Sequence, residues 1–201
     1  MPEIADAVTE AVEKADKAES KLNTAVAALV AISATFMALC NVKDGNVVQA
    51  MAQAQATGVD QWAYFQAKST KQALAELAAD GFAVQRDTTP GLSPEARAIY
   101  DRKVADHLAK AKQYEAEKAK IKDDAEASAK EYDRLNVHDD QFDMAEASLS
   151  VAIALFGVTA LTQKRWLLVF AIVIAGFGTV LGVAGFLGKS LHPDWVAKLL
   201  S

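Results

Sequence analysis

The chain has one cysteine, Cys40, so it can close no disulfide within itself, and Cys and His nowhere gather at the spacings of a structural zinc site. It has no surplus of positive charge. With 26 acidic residues against 21 basic ones the net charge is −5, which argues against nucleic acid as a partner, since phosphate contacts need an excess of Lys and Arg. There is no Gly-rich phosphate loop, no GxSxG elbow, no HExxH and no set of Glu-x-x-His pairs of the di-iron bundle type. An enzyme therefore finds no motif here, and neither a cofactor nor a metal is expected. The first twenty residues, MPEIADAVTEAVEKADKAES, are acidic and Ala-rich, without the basic-then-apolar order of a secretory signal, and are expected to stay attached.

What the chain does have is three long runs free of charge. Trp166 to Gly188 holds 23 residues with nothing more polar than Thr179, and Leu22 to Val42 holds 21; each has the length an α-helix needs to cross a bilayer core. Ala147 to Thr162 is shorter, at 16 residues. Its rise of about 24 Å against a core of about 30 Å is made up by Met144 and Ala145 at one end and by Lys164 and Arg165 snorkelling at the other. Gln163, Lys164 and Arg165 then form the turn between the second and third spans. No Asp, Glu, Lys, Arg or His lies inside any of the three runs, which disfavours a proton-coupled carrier, because such proteins keep an ionisable relay at membrane depth.

Two of the runs carry a face of small residues. Ala171, Ala175, Gly178, Gly182 and Gly185 recur in the third at steps of four and three, and Ala27, Ala31, Ala34 and Ala38 do so in the first. Close helix contact is expected there, since backbone approach replaces the hydrophobic drive that lipid removes. Both faces are assigned to packing between copies of the chain. Cys40, at the end of the first run, reads as a small packing residue.

The polar remainder is helical in character. Residues 1–21 give a short amphipathic helix on Ile4, Val8, Ala11, Ala15 and Ala18. Gly45 and Gly58 mark a turn and a weak point after the first span, Asp60 caps a further helix, and Gly81 closes it. Residues 82–92, with Pro90 and Gly91, form a turn. Ser93 as cap and Pro94 as first residue then open a long helix, free of Gly and Pro from Glu95 to Phe156. Its heptad trace runs through Tyr100, His107, Tyr114, Ile121, Ser128, Leu135, Phe142 and Leu149. Residues 43–146 are thus expected to form an extramembrane helical hairpin, coiled-coil-like, packed through Trp62, Phe65, Leu77, Tyr114 and Ile121. After Gly188, residues 189–201 place Trp195, Leu199 and Leu200 on an interfacial tail.

Two stretches carry a resemblance. LCNVKDGNVVQAMAQAQA, from Leu39 to Ala56, and QWAYFQAKSTKQ, from Gln61 to Gln72, resemble the bacterial membrane family known as domain of unknown function 4337. That resemblance implies one N-terminal transmembrane helix, a polar helical middle and a C-terminal hydrophobic pair over nearly the whole chain, and it brings no activity, cofactor or catalytic residue. Many members carry a Tyr pair after the tryptophan, where this chain has Tyr64 and Phe65.

The fold expected is all-α, with three transmembrane helices and the hairpin. The one polar cluster of site-like density is His138, Asp139, Asp140, Asp143 and Glu146, read as a solvated acidic collar ahead of the second span, with a divalent-cation site as the sharper alternative. The function expected is a homo-oligomeric scaffold of the bacterial cytoplasmic membrane whose partners are itself and the lipid bilayer. The alternative is an oligomeric channel lined by the small-residue face of the third span. Lys164 and Arg165 in a very short loop tilt the topology toward a cytoplasmic N-terminus and a periplasmic hairpin.

Overall fold

The computed structural model describes residues 2–191. The side-chain face expected at Ile4, Val8, Ala11 and Ala15 and the tail beyond Leu191, with Trp195, Leu199 and Leu200, lie outside the described residues. The protein is all-helical there: α1 spans Pro2–Thr88, α2 Pro94–Thr162 and α3 Arg165–Phe186. Each of the three is long and apolar enough over part of its length to cross a membrane. The chain divides into two compact units, one of Met1–Gln49 with Arg134–Ser201 and one of Ala50–Asp133.

α1 corrects the expected breaks. It runs through Gly45, Gly58 and Gly81 without interruption, and Asp60 caps nothing because no helix begins there. An isolated glycine inside a helix costs about 1 kcal/mol relative to alanine, which the surrounding Ala, Gln, Val and Met outweigh. The helix continues past Gly81 and ends at Thr88, where the hydroxyls of Thr88 and Thr89 donate to the carbonyls of Val84 and Gln85 at 2.7 and 2.6 Å. Gly91, at φ +72°, then reverses the chain. Ser93 accepts the Ala96 N–H at 3.2 Å on its hydroxyl, so α2 starts at the expected cap with Pro94 behind it.

In the unit of residues 50–133 the two helical segments run antiparallel, with Gly58 opposite Ser128, Lys68 paired to Glu117 and Arg86 to Asp101. Buried positions recur at heptad spacing. Met51, Ala75 and Ala79 on α1 and Ala111, Ile121 and Ala125 on α2 are buried. Lys68 lies between the rings of Tyr64 and Tyr114, 5.3 and 5.2 Å from their centroids, while its ammonium holds Glu117. Ile121 is buried, and Tyr114 and Phe65 are half-buried, Phe65 under Lys118. Trp62 stays 41% exposed at the rim, edge-on to Phe65 at 5.6 Å.

Leu77 is a correction. It is 68% exposed, and Ala75 and Ala79 hold the seam on either side of it. Leu77 lies three steps of four beyond Phe65, and each step of four overshoots a 3.6-residue turn by about 40°. By Leu77 the line has left the contact.

In the other unit α1 from about Leu22, α2 from Arg134 and α3 form a three-helix bundle. Asn23 meets Gln163, Met37 meets Ser150, and Asn41 meets Glu146, so α1 and α2 are antiparallel. The corner between α2 and α3 turns at Gln163, whose φ of 56° is the one positive value among described residues other than glycine. Its amide nitrogen donates to Asn23 Oδ1 at 3.0 Å and to the Ala160 carbonyl at 2.6 Å, which holds the residue in that conformation. α3 ends on Gly188 at φ +67°, with Lys189 N–H returning to the Ala184 carbonyl at 2.9 Å.

Candidate functional site

Inside the three-helix unit, small residues of α3 pack against large side chains of α1 and α2. Ala171 is fully buried with Val26, Ala152 and Phe156. A Cβ on Gly178 would stand 2.9 Å from the Ala145 carbonyl oxygen, one on Gly182 would stand 2.8 Å from Cys40 Sγ and from Phe36, and one on Gly185 would stand 2.7 Å from Phe142. At these three positions the neighbours approach so closely that only hydrogen fits. Phe36, Phe142 and Phe186 close the end of the bundle, Phe142 meeting Phe186 at 5.5 Å and 77°.

The small-residue face assigned to contacts between copies is therefore taken up inside one chain at Ala171, Gly178, Gly182 and Gly185, with Ala175 half-buried beside them. α1 does the opposite. Val26, Ser33 and Cys40, seven residues apart, face the interior, while Ala27, Ala31 and Ala38 are exposed and Ala34 is half-buried. The two small-residue faces thus differ: that of α3 is buried within the chain and that of α1 is mostly exposed.

Gln141 was missed. It is fully buried, its amide nitrogen donates to the Leu181 carbonyl at 2.7 Å, and its amide oxygen accepts the Leu191 N–H at 2.9 Å. One side chain thus ties α2 to α3 and to the segment leaving it, with both ends of a buried amide satisfied. The available signal was a Gln followed by Phe142 and Met144 in a helix about to turn apolar.

At the same level lies the acidic collar, now joined by α1. Asn41 donates to Glu146 at 3.3 Å, and Asp44 shares a hydrogen bond with Asp139. Burial, followed by the negative charges of Asp139 and Asp143, pushes the Asp44 carboxyl from 3.8 up to about 7. Asp139 is raised by burial and by Asp143, and Asp143 by burial and by Asp140. Asp44 Oδ1, His138 Nδ1 and Glu146 Oε1 are buried without a hydrogen-bond partner. The collar is thus a half-buried carboxyl cluster able to hold a proton near neutral pH. Among the described residues no three Cys, His, Asp or Glu side chains converge as a metal site would require, so the cation alternative gains no support.

No curated protein and no solved structure matches the chain. The profile of the family described as "domain of unknown function (DUF4337)" matches residues 22–188, from the first apolar run through the end of α3, and the chain belongs to that family.

Proposed function

We propose that the protein is a homo-oligomeric scaffold of the bacterial cytoplasmic membrane, without catalytic activity. In this reading α1, α2 and α3 cross the bilayer, and the segments around residues 50–133 stand outside it as an antiparallel coiled-coil hairpin. Large apolar side chains on the outside of the three-helix unit support the insertion. Val169, Phe170, Val173 and Val180 of α3 and Ile32 and Leu39 of α1 face outward, whereas Ser33, Gln141 and Thr159 are buried. Lipid is the solvent that such an arrangement suits.

The observation that carries the oligomeric reading is the second apolar face of α1. Leu74, Leu77 and Val84 are about three-fifths or more exposed, at 60, 68 and 59%, and helical geometry puts them opposite the seam. Outside a membrane such a stripe calls for a protein surface to cover it. The exposed Ala27, Ala31 and Ala38 offer a matching close-approach face within the spans. A pore lined by the small face of α3 is disfavoured because Phe36, Cys40, Phe142 and Leu149 already fill that face.

Planar-bilayer recording of the purified protein, under voltage and under tension, tests the choice. The scaffold reading expects no unitary currents. Reproducible currents that disappear in Gly182→Leu overturn it in favour of a channel.

A further inference from the structure

Lys14, Lys17 and Lys21 follow one another on α1 at steps of three and four, so they share a helical face. With Arg165, the first residue of α3, and with Ala18 and Leu22 they line a pocket of about 450 Å³. Lys14 pairs with Glu10 at 2.7 Å and Lys17 with Glu13 at 3.8 Å, but these side chains are about three-quarters exposed, at 75 and 76% for the lysines. Exposed pairs of this kind are worth about 1 kcal/mol or less and exchange readily for another anion. Lys21 and Arg165 hold no carboxylate among the described residues. α3 also begins without a side-chain cap on Lys164 and without an acidic residue in its first turn, so no acid of its own offsets the positive end of its dipole.

The pocket sits where two apolar runs begin, at Leu22 and Trp166. The opposite end of the same three-helix unit mixes the carboxyls of Asp44, Asp139, Asp143 and Glu146 with the cations of Lys43 and Arg134. Among the described residues, no carboxylate lines the pocket of Lys14, Lys17, Lys21 and Arg165. We propose that Lys14, Lys17, Lys21 and Arg165 bind the phosphate of an anionic phospholipid headgroup, with Arg165 engaging two phosphate oxygens and the lysines supplying point charges. Soluble phosphate shares that chemistry. The lipid is the occupant because Ala18 and Leu22 add apolar side chains to the pocket's lining, and Arg165 is followed directly by Trp166, which is 65% exposed. The site rests on the reading that α1 and α3 cross a membrane.

The test uses the full chain carrying Trp62→Phe and Trp195→Phe, so that Trp166 is the sole remaining tryptophan of three. It is reconstituted in phosphatidylcholine vesicles holding a minor share of brominated phosphatidylglycerol, or the same share of brominated phosphatidylcholine. The expected result is quenching of Trp166 that reports the anionic lipid enriched about fivefold or more, the factor that a gain of about 1 kcal/mol from one basic residue near the headgroups produces. Combined Lys17→Gln, Lys21→Gln and Arg165→Gln should abolish the enrichment while leaving quenching by brominated phosphatidylcholine in place. Equal quenching by the two lipids in the parent chain overturns the site, and enrichment that survives the triple variant overturns its residues. Enrichment abolished by millimolar inorganic phosphate assigns the pocket to a soluble anion and overturns the lipid. Quenching by neither lipid shows a chain that is not inserted, and the membrane reading then falls together with the site.

Discussion

A methyl group on Gly185 would come within 2.7 Å of Cζ of Phe142, a ring that is itself fully buried and held edge-on by Phe186. The same contact at Gly178 involves the Ala145 carbonyl oxygen at 2.9 Å, and a backbone atom cannot rotate aside. Gly178→Ala should therefore separate α2 from α3 and cost about 1 to 3 kcal/mol. Gly176→Ala is the control, since nothing lies within 4 Å of its Cβ position, and better helix propensity should leave it neutral or more stable by about 0.5 to 1 kcal/mol. Reversible unfolding in mixed micelles compares the two. Equal effects would mean that α3 does not meet α2 along this face.

Gln141→Leu keeps the volume roughly constant but removes the donor to Leu181 and the acceptor for the Leu191 N–H. The stranded groups should cost about 1 to 3 kcal/mol. Hydrogen exchange of the Leu191 amide gives a local readout, which should speed up markedly in the variant and not in Gln163→Ala.

The Asp44 carboxyl titrates near 7 in the folded protein and near its ordinary 3.8 once unfolded. Between those values the folded state binds the extra proton, so stability falls as pH rises through this window and is lowest above pH 7. Asp44→Asn should raise the unfolding temperature at pH 8, change it little at pH 4, and flatten the profile between. A variant whose profile keeps the slope of the parent would place the titrating group elsewhere in the collar.

In the unit of residues 50–133, Ile121 is buried and Leu77 is 68% exposed. Ile121→Ala should cost about 2 to 5 kcal/mol, and Leu77→Ser less than about 0.5 kcal/mol in a single protomer. Denaturant titration of the far-ultraviolet signal measures both. A larger loss at Leu77 than at Ile121 would restore Leu77 to the packing expected of it.

Much of the architecture was legible because charge-free length and heptad spacing are local signals. The start of α2 at Ser93 and Pro94 and the corner at Gln163 both follow from residues close together in sequence. The continuity of α1 did not, because Gly45, Gly58 and Gly81 look like punctuation unless the helix-forming strength on both sides is weighed against a small glycine penalty. Nor did the partners of small faces: Gly182 opposite Cys40 is a contact between positions far apart in the chain, and spacing alone cannot separate it from contact with a second copy. Asp44 was invisible as part of the collar for the same reason.

The central claim, self-association through the outer face of α1, is tested most directly by the mass of the intact protein released from native nanodiscs. The account predicts species at two or more multiples of 21.4 kDa, reduced to the single chain when Leu74 and Leu77 are both replaced by Glu. A parent protein that flies only as one chain of 21.4 kDa, across the concentrations at which it is reconstituted, would contradict it.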